Sequence, residues 1–284
     1  MKEIKKVCVV GGGRMGRQIA LCSAHYGYET VVWARSEKTR NDIAKWEEEY
    51  FAGRLAKKKW TEEEVENTRK LYSVEGDLET ALKDVDLVIE AVVEVVDEKK
   101  AVFAEVCKYV SEDCLLCTNS STHVSSKFKD AVTNPSRLCN MHFYNPALVM
   151  TFVEVVQGEH TSAETAQAAY EWCKSIGKKP VWEKKEIAGF VGNYIYAGVY
   201  EKAKYLVENG YVDAYDCDIA MEEGFHFPMG PFRLNDFTGI DLSYDIMKGN
   251  YERTGVKPPM YDIYENMVKN GRLGKGRGGG FYDD

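Results

Sequence analysis

The sequence contains no apolar run approaching the roughly 18–20 residues that a membrane-spanning helix needs, so a membrane protein of that kind is not expected. It opens MKEIKKVCVVGGG, going from charge straight into a short apolar stretch, without the hydrophobic segment and cleavage site of a secretory leader. Both absences point to a cytoplasmic protein. A metal centre lacks its ligands as well. Cys114 and Cys117 form a CxxC, but no second CxxC and no paired histidines accompany it. The eight cysteines fall mostly inside apolar segments and are expected to be buried, reduced thiols. An excess of positive charge is missing too. With 37 Lys and Arg against 45 Asp and Glu, the net charge of -8 argues against nucleic acid or an anionic membrane as the main partner. No internal repeat is visible, and the nearest thing to a low-complexity tract is the basic, glycine-rich tail Arg272–Gly280.

What is present is an ordinary globular composition, 44% hydrophobic and 29% charged, over 284 residues, enough for one large or two ordinary domains. Short apolar runs alternate with helical patterns through the first two-thirds, which predicts an α/β fold with a mostly parallel sheet. The runs are Val7–Val10, Thr30–Trp33, Leu87–Val93, Leu115–Thr118, Leu138–Phe143, Val153–Val156 and Pro180–Trp182. From Phe190 the strands stop, and Phe190–Val207, Ala214–Met221 and Tyr261–Val268 read as helices. The expected division is residues 1–186 and a smaller all-α domain of residues 187–284. Residues 37–71 break the rhythm with about two charged helices and no strand between, which fits a helical hairpin projecting from the sheet.

The run Val7–Val10 leads directly into Gly11-Gly12-Gly13-Arg14-Met15-Gly16, followed by a helical pattern. This is GxGxxG in a strand–turn–helix setting, the Rossmann arrangement for a dinucleotide. Gly11 allows the tight turn, Gly13 lets backbone approach a pyrophosphate, and Gly16 lets helix and strand pack closely. The helix N-terminus adds N–H donors and positive potential. The next strand should end in an acid that holds the adenosine ribose. Here it ends in Ala34-Arg35-Ser36, with Arg40 about one helical turn further on. Without the acid, and with Arg35, Ser36 and Arg40 where a 2′-phosphate would sit, NADP(H) is favoured over NAD(H). The alternative is a solvated Arg35 with the ribose held by backbone.

Two further stretches carry chemistry. Thr118-Asn119-Ser120-Ser121-Thr122 is a small-polar turn after a strand, placing the Asn119 amide and hydroxyls in the ligand crevice. His142 lies at the end of one strand, and Glu154 is the only polar residue of the next apolar run. A carboxylate on an imidazole fixes its tautomer and stabilises the imidazolium, as a general acid/base requires.

The combination of GxGxxG, IEAVVE (Ile89–Glu94), TNSST (Thr118–Thr122), MHFYNPA (Met141–Ala147), GFVGN (Gly189–Asn193), HFPMGPF (His226–Phe232) and GGGFYD (Gly278–Asp283) resembles the 3-hydroxyacyl-CoA dehydrogenase family. Within it the chain is most similar to stand-alone bacterial 3-hydroxybutyryl-CoA dehydrogenases, and the motifs span essentially the whole sequence in family order. The resemblance implies an oxidoreductase interconverting (S)-3-hydroxyacyl-CoA and 3-oxoacyl-CoA with a nicotinamide cofactor, on a short chain such as 3-hydroxybutyryl-CoA in butyrate metabolism. It implies His142 as the general base, Glu154 as its orienting partner, and Ser121 and Asn193 as hydrogen-bonding partners of the substrate. Glu94 and Lys99 match positions that contact the cofactor, and Lys58, in AKKKW, matches a lysine that binds CoA phosphate. A homodimer through the C-terminal domain is also implied.

Several positions depart from the family pattern. Ala34 replaces the ribose-binding acid, Ala188 and Tyr194 replace the usual proline and arginine around GFVGN, Phe51 stands where a CoA-contacting serine is common, and Thr122-His123 follow the catalytic serine. Two other functions stay open: a related dehydrogenase of free hydroxy acids, and a cofactor-binding protein without catalysis. The lysines at 57–59 argue against the first, and the four intact catalytic positions against the second.

Overall fold

Strands form where β-branched and apolar residues run without interruption, because a parallel strand is covered on both faces and has no polar side to alternate. The computed structural model describes residues 3–284. Its strands are β1 (Lys6–Val10), β2 (Glu29–Trp33), β3 (Tyr72–Glu75), β4 (Leu87–Glu90), β5 (Leu115–Thr118), β6 (Leu138–Phe143), β7 (Phe152–Val156) and β8 (Lys179–Glu183). They join in one sheet of order β3-β2-β1-β4-β5-β6-β7-β8. All neighbours are parallel except β6 and β7, which are antiparallel. The order reverses at β1 and β4, so the crevice for a ligand lies beyond the carboxyl ends of those strands. Expectation and structure agree on seven strands to within a few residues. The run at Leu87 is shorter than expected, and β3 is an addition.

The helices of this part are α1 (Arg14–His25), α2 (Glu37–Ala56), α3 (Glu62–Leu71), α4 (Leu78–Ala81), α5 (Val96–Val106) and α6 (Ala163–Ser175). Cores lie on both faces of the sheet. One joins Val7, Val9, Val32 and Ile89 to Ile19, Leu21 and Trp172, and the other joins Cys8, Val10, Val31 and Val88 to Leu82, Phe103 and Phe128. Alternate residues of one strand thus feed opposite cores. Seven of the eight cysteines are buried, and Cys107 is half-buried.

The α2–α3 hairpin has strong local starts. Ser36 accepts the Thr39 N–H, and Thr61 with Glu64 forms a capping box. Its base is packed into the core through Ile43, Phe51 and Val65. Trp60 stacks flat on His25 of α1, ring centroids 3.9 Å apart. The Lys57–Lys59 turn is left exposed.

The chain divides into two compact units, Met1–Val191 and Gly192–Asp284. The second contains most of α7 (Phe190–Glu208), then α8 (Ala214–Phe225), α9 (Pro231–Thr238), α10 (Ile240–Thr254) and α11 (Tyr261–Lys269), around Phe232, Ile240 and Tyr264. Buried Asp218 accepts the N–H groups of Phe232 and Arg233 at 2.8 and 2.9 Å, satisfying the start of α9. Asp236 likewise accepts those of Phe281 and Tyr282, both at 2.9 Å, which anchors the glycine-rich tail. No helix among the described residues is long and apolar enough to cross a membrane.

Candidate active site

β1 feeds its chain into α1 through a turn that only glycine can make. Gly11 has φ of 122°, and a Cβ on Gly16 would stand 1.8 Å from the Gly11 carbonyl oxygen. Gly13 differs from both, because a Cβ there would meet nothing within 4 Å. As N-cap of α1 it offers no side-chain hydrogen bond, and the first turn holds no acidic residue. The leading N–H groups of α1 therefore face an open space with positive potential, the chemistry that fits a pyrophosphate.

A cleft of about 600 Å³ opens over this turn. Gly11, Gly13, Arg14 and Met15 form its floor, Ala34, Arg35, Ser36 and Thr39 one wall, and Glu94, Lys99, Asn119 and Ser121 the other. Its acids are Glu94 and Glu98, both away from the β2 end, where buried Ala34 stands instead of a carboxylate. Arg40, expected beside them, does not line the cleft. Its Nη1 donates to the carbonyls of Ala34 and Arg35, each at 2.9 Å, so it braces the loop that presents Arg35. Ser36 faces the cleft while its hydroxyl caps α2.

Glu94 and Lys99 belong to a network that shapes the opposite wall. Lys99 is buried, and its ammonium lies 2.7 Å from Glu90 and 3.1 Å from Glu94. Glu90 also accepts from Thr118 Oγ1 at 2.6 Å and the Val92 N–H at 2.7 Å, so the buried charges are satisfied. One oxygen of Glu94 accepts the Ser120 hydroxyl, the N–H groups of Ser121 and Thr122 at 3.2 and 3.1 Å, and the Thr122 hydroxyl at 2.8 Å. Burial pushes the Glu94 carboxyl up, but the Ser120 hydroxyl, the Lys99 ammonium and the Thr122 donors outweigh it and hold it at about 2. Glu94 thus fixes the turn that carries Ser121. Glu90 was not singled out from sequence, although it is the one charge inside the run Leu87–Val93.

His142 and Glu154 are register partners across β6 and β7. His142 Nδ1 lies 2.7 Å from Glu154 Oε2, with both side chains buried. A proton held on Nδ1 by the carboxylate leaves Nε2 to take up or release another. The rings of Tyr144 and Phe190 flank the imidazole at 4.9 and 5.4 Å between centroids. Asn119 ties this pair to the cleft, its Oδ1 accepting the Phe143 N–H at 2.9 Å. His142, Glu154 and the Ser121 turn therefore belong to one unit. Asn193 lies on the first turn of α7 in the other, and Lys58 sits at the hairpin tip with φ of 51°.

A glycine cradle for a dinucleotide and a buried His–Glu pair at the same sheet edge define a nicotinamide-dependent oxidoreductase. Known proteins agree. Residues 6–187 match the NAD binding domain of 3-hydroxyacyl-CoA dehydrogenase and residues 189–284 match its C-terminal domain. The chain is 34% identical to the mitochondrial hydroxyacyl-coenzyme A dehydrogenase of Mus musculus over 98% of its own length and 91% of that protein. It is 32% identical to 3-hydroxybutyryl-CoA dehydrogenase of Clostridioides difficile, covering 98% and 99% of the two chains. A solved diketoreductase, described as a substrate-directed dual catalyst of dicarbonyl compounds, superimposes with a TM-score of 0.90 at 28% identity over 100% of both chains. The chain belongs to the 3-hydroxyacyl-CoA dehydrogenase family.

The depressed Glu94 carboxyl gives a pH dependence of known sign. Its hold on the Ser121 turn is complete above its ordinary value of 4.5 and is lost as pH falls towards about 2. Glu94→Gln is expected to lower the denaturant midpoint above that window and to match the wild type at its acid end. Chemical unfolding across the window checks this, and a gap independent of pH would assign the turn's stability elsewhere.

Proposed function

We propose that this protein interconverts (S)-3-hydroxyacyl-CoA and 3-oxoacyl-CoA, with 3-hydroxybutyryl-CoA and acetoacetyl-CoA as the short-chain pair, in the cytoplasm and in butyrate-type metabolism. The observation that carries the reading is the buried 2.7 Å contact between His142 and Glu154 at the edge where the glycine cradle opens. When bound, the nicotinamide accepts or supplies the hydride. In the oxidising direction neutral His142 takes the 3-hydroxyl proton on Nε2, and in the reducing direction its imidazolium returns it. Glu154 holds the ring and stabilises the imidazolium. Ser121, positioned by Glu94, and Asn193 hydrogen-bond the substrate oxygens. Steady-state reduction of acetoacetyl-CoA with NADH and NADPH side by side tests the whole assignment, and no turnover with either would refute it.

The second unit supports a homodimer, because Tyr211, Phe225, Phe237 and Ile246 expose large apolar surfaces there. One observation favours a second substrate class, the close structural likeness to the diketoreductase. In that reading a small dicarbonyl would need no grip at the hairpin tip.

Two variants test the His–Glu pair. His142→Gln should lower kcat by about 10²–10⁴ while leaving cofactor affinity unchanged. Glu154→Gln should lower kcat more than it raises KM. Near-normal kcat in the His142 variant would remove it from the mechanism.

If Lys58 binds a CoA phosphate, Lys58→Ala should raise KM for acyl-CoA about tenfold and leave that for the nicotinamide unchanged. The penalty should shrink as salt rises, since the site is exposed. An unchanged acyl-CoA KM would favour the dicarbonyl reading.

For the cofactor we expect NADPH to be preferred. No carboxylate at the β2 end repels a 2′-phosphate, and Arg35 faces the cleft with its loop braced by Arg40. The wild type should show higher kcat/KM with NADPH, and an Ala34→Asp, Arg35→Ile variant should swing to NADH. A wild type favouring NADH by about tenfold or more would reverse this assignment.

A further inference from the structure

One buried acid beside the His–Glu pair has no part in the chemistry above. Glu183 ends β8 and is 5% exposed. In the parallel register of β7 and β8, Glu154 lies beside Val181 and Val156 beside Glu183. Glu183 therefore projects on the same face of the sheet as Glu154, one pleat repeat further along. Its Oε1 accepts the Val191 N–H at 2.8 Å. Its Oε2 is buried with no donor among the described residues. Its carboxyl interacts with that of Glu154 and, less strongly, with His142. Two adjacent buried carboxylates do not both ionise, and a buried anionic oxygen without a donor is costly. Both penalties vanish if the bare oxygen carries a proton and gives it to its neighbour.

We propose that Glu183 is a positioning residue, a neutral carboxylic acid whose Oε2–H donates to the Glu154 carboxylate and so limits how strongly Glu154 holds the proton on His142. Burial raises the Glu183 carboxyl, the Val191 N–H pulls it back, and the charge of Glu154 raises it again, so that the net direction is upward. Glu154 of β7 and His142 of β6 are the charged groups that act most strongly on Glu183, and α7 contributes the uncharged Val191 N–H. A hydrogen bond from a neutral acid spreads the Glu154 charge over a second partner. His142 then gives up its proton at lower pH, keeping it poised between base and acid. The effect on turnover rests on the proposed function, whereas the titration of His142 does not.

The experiment is an NMR titration of His142 in the intact, ligand-free protein, for wild type, Glu183→Leu and Glu183→Gln, alongside the pH profile of kcat/KM for 3-hydroxybutyryl-CoA oxidation. Glu183→Leu removes the donor, so His142 should titrate about one pH unit higher, and the acid limb of the profile should follow. Glu183→Gln keeps an N–H donor for Glu154 and an acceptor for Val191, so it should restore the wild-type midpoint. If Glu183 were an ionised carboxylate, Gln would remove a negative charge and move the midpoint down. That result, or an unmoved midpoint in a folded Leu variant, overturns the proposal. If the Leu variant does not fold, the Gln variant decides alone. A His142 shift in a protein that fails to oxidise hydroxyacyl-CoA would leave this arrangement standing and refute the proposed function instead.

Discussion

β6 and β7 are the one antiparallel pair among the strands described, and the reversal sets His142 directly opposite Glu154. Placing an imidazole and a carboxylate out of water costs several kcal/mol per charged group unless geometry and further hydrogen bonds offset it. The sheet supplies that geometry, because cross-strand neighbours cannot drift without breaking the ladder on both sides. β6 is also parallel to β5, so the same strand that faces Glu154 ends beside the Asn119–Ser121 turn. The chemistry of the site depends on this single register.

Around it, the carboxyl edge is built from charges that hold loops. Glu90 and Lys99 neutralise each other in the interior, and Glu94 collects the donors of the Ser120–Thr122 turn. Arg40 does similar work at the other wall, donating to the loop after β2. Glu94 and Arg40, both expected from the sequence to contact the cofactor, here hold backbone. The cradle at Gly11–Gly13 needs no such support, since its donors come from the start of α1 itself.

Much of this could be read from the sequence for definite reasons. Parallel strands gave uninterrupted apolar runs, the glycine spacing marked the turn, and Glu154 stood out as a charge inside such a run. β3 could not be read, because Tyr72–Glu75 is short, half polar and follows α3 without a turn. α9 and α10 were missed where Gly230 and Gly239 sit at their starts and polar residues blur the helical period. Arg40 suggested a phosphate ligand by spacing alone, and the direction of its side chain decided otherwise. Glu183 was hidden by its neighbours, since it opens the run Glu183-Lys184-Lys185-Glu186 and reads there as one more surface charge.

The central claim is that this edge removes a proton through His142 while hydride passes between C3 of a 3-hydroxyacyl-CoA and the nicotinamide. It is tested most directly by following the isotope. (S)-3-hydroxybutyryl-CoA carrying deuterium at C3 is incubated with the protein and oxidised cofactor, and the products are examined by NMR. The account predicts one deuterium on the reduced nicotinamide for each acetoacetyl-CoA formed. Deuterium released to water, or no reduced cofactor with either dinucleotide, would contradict it.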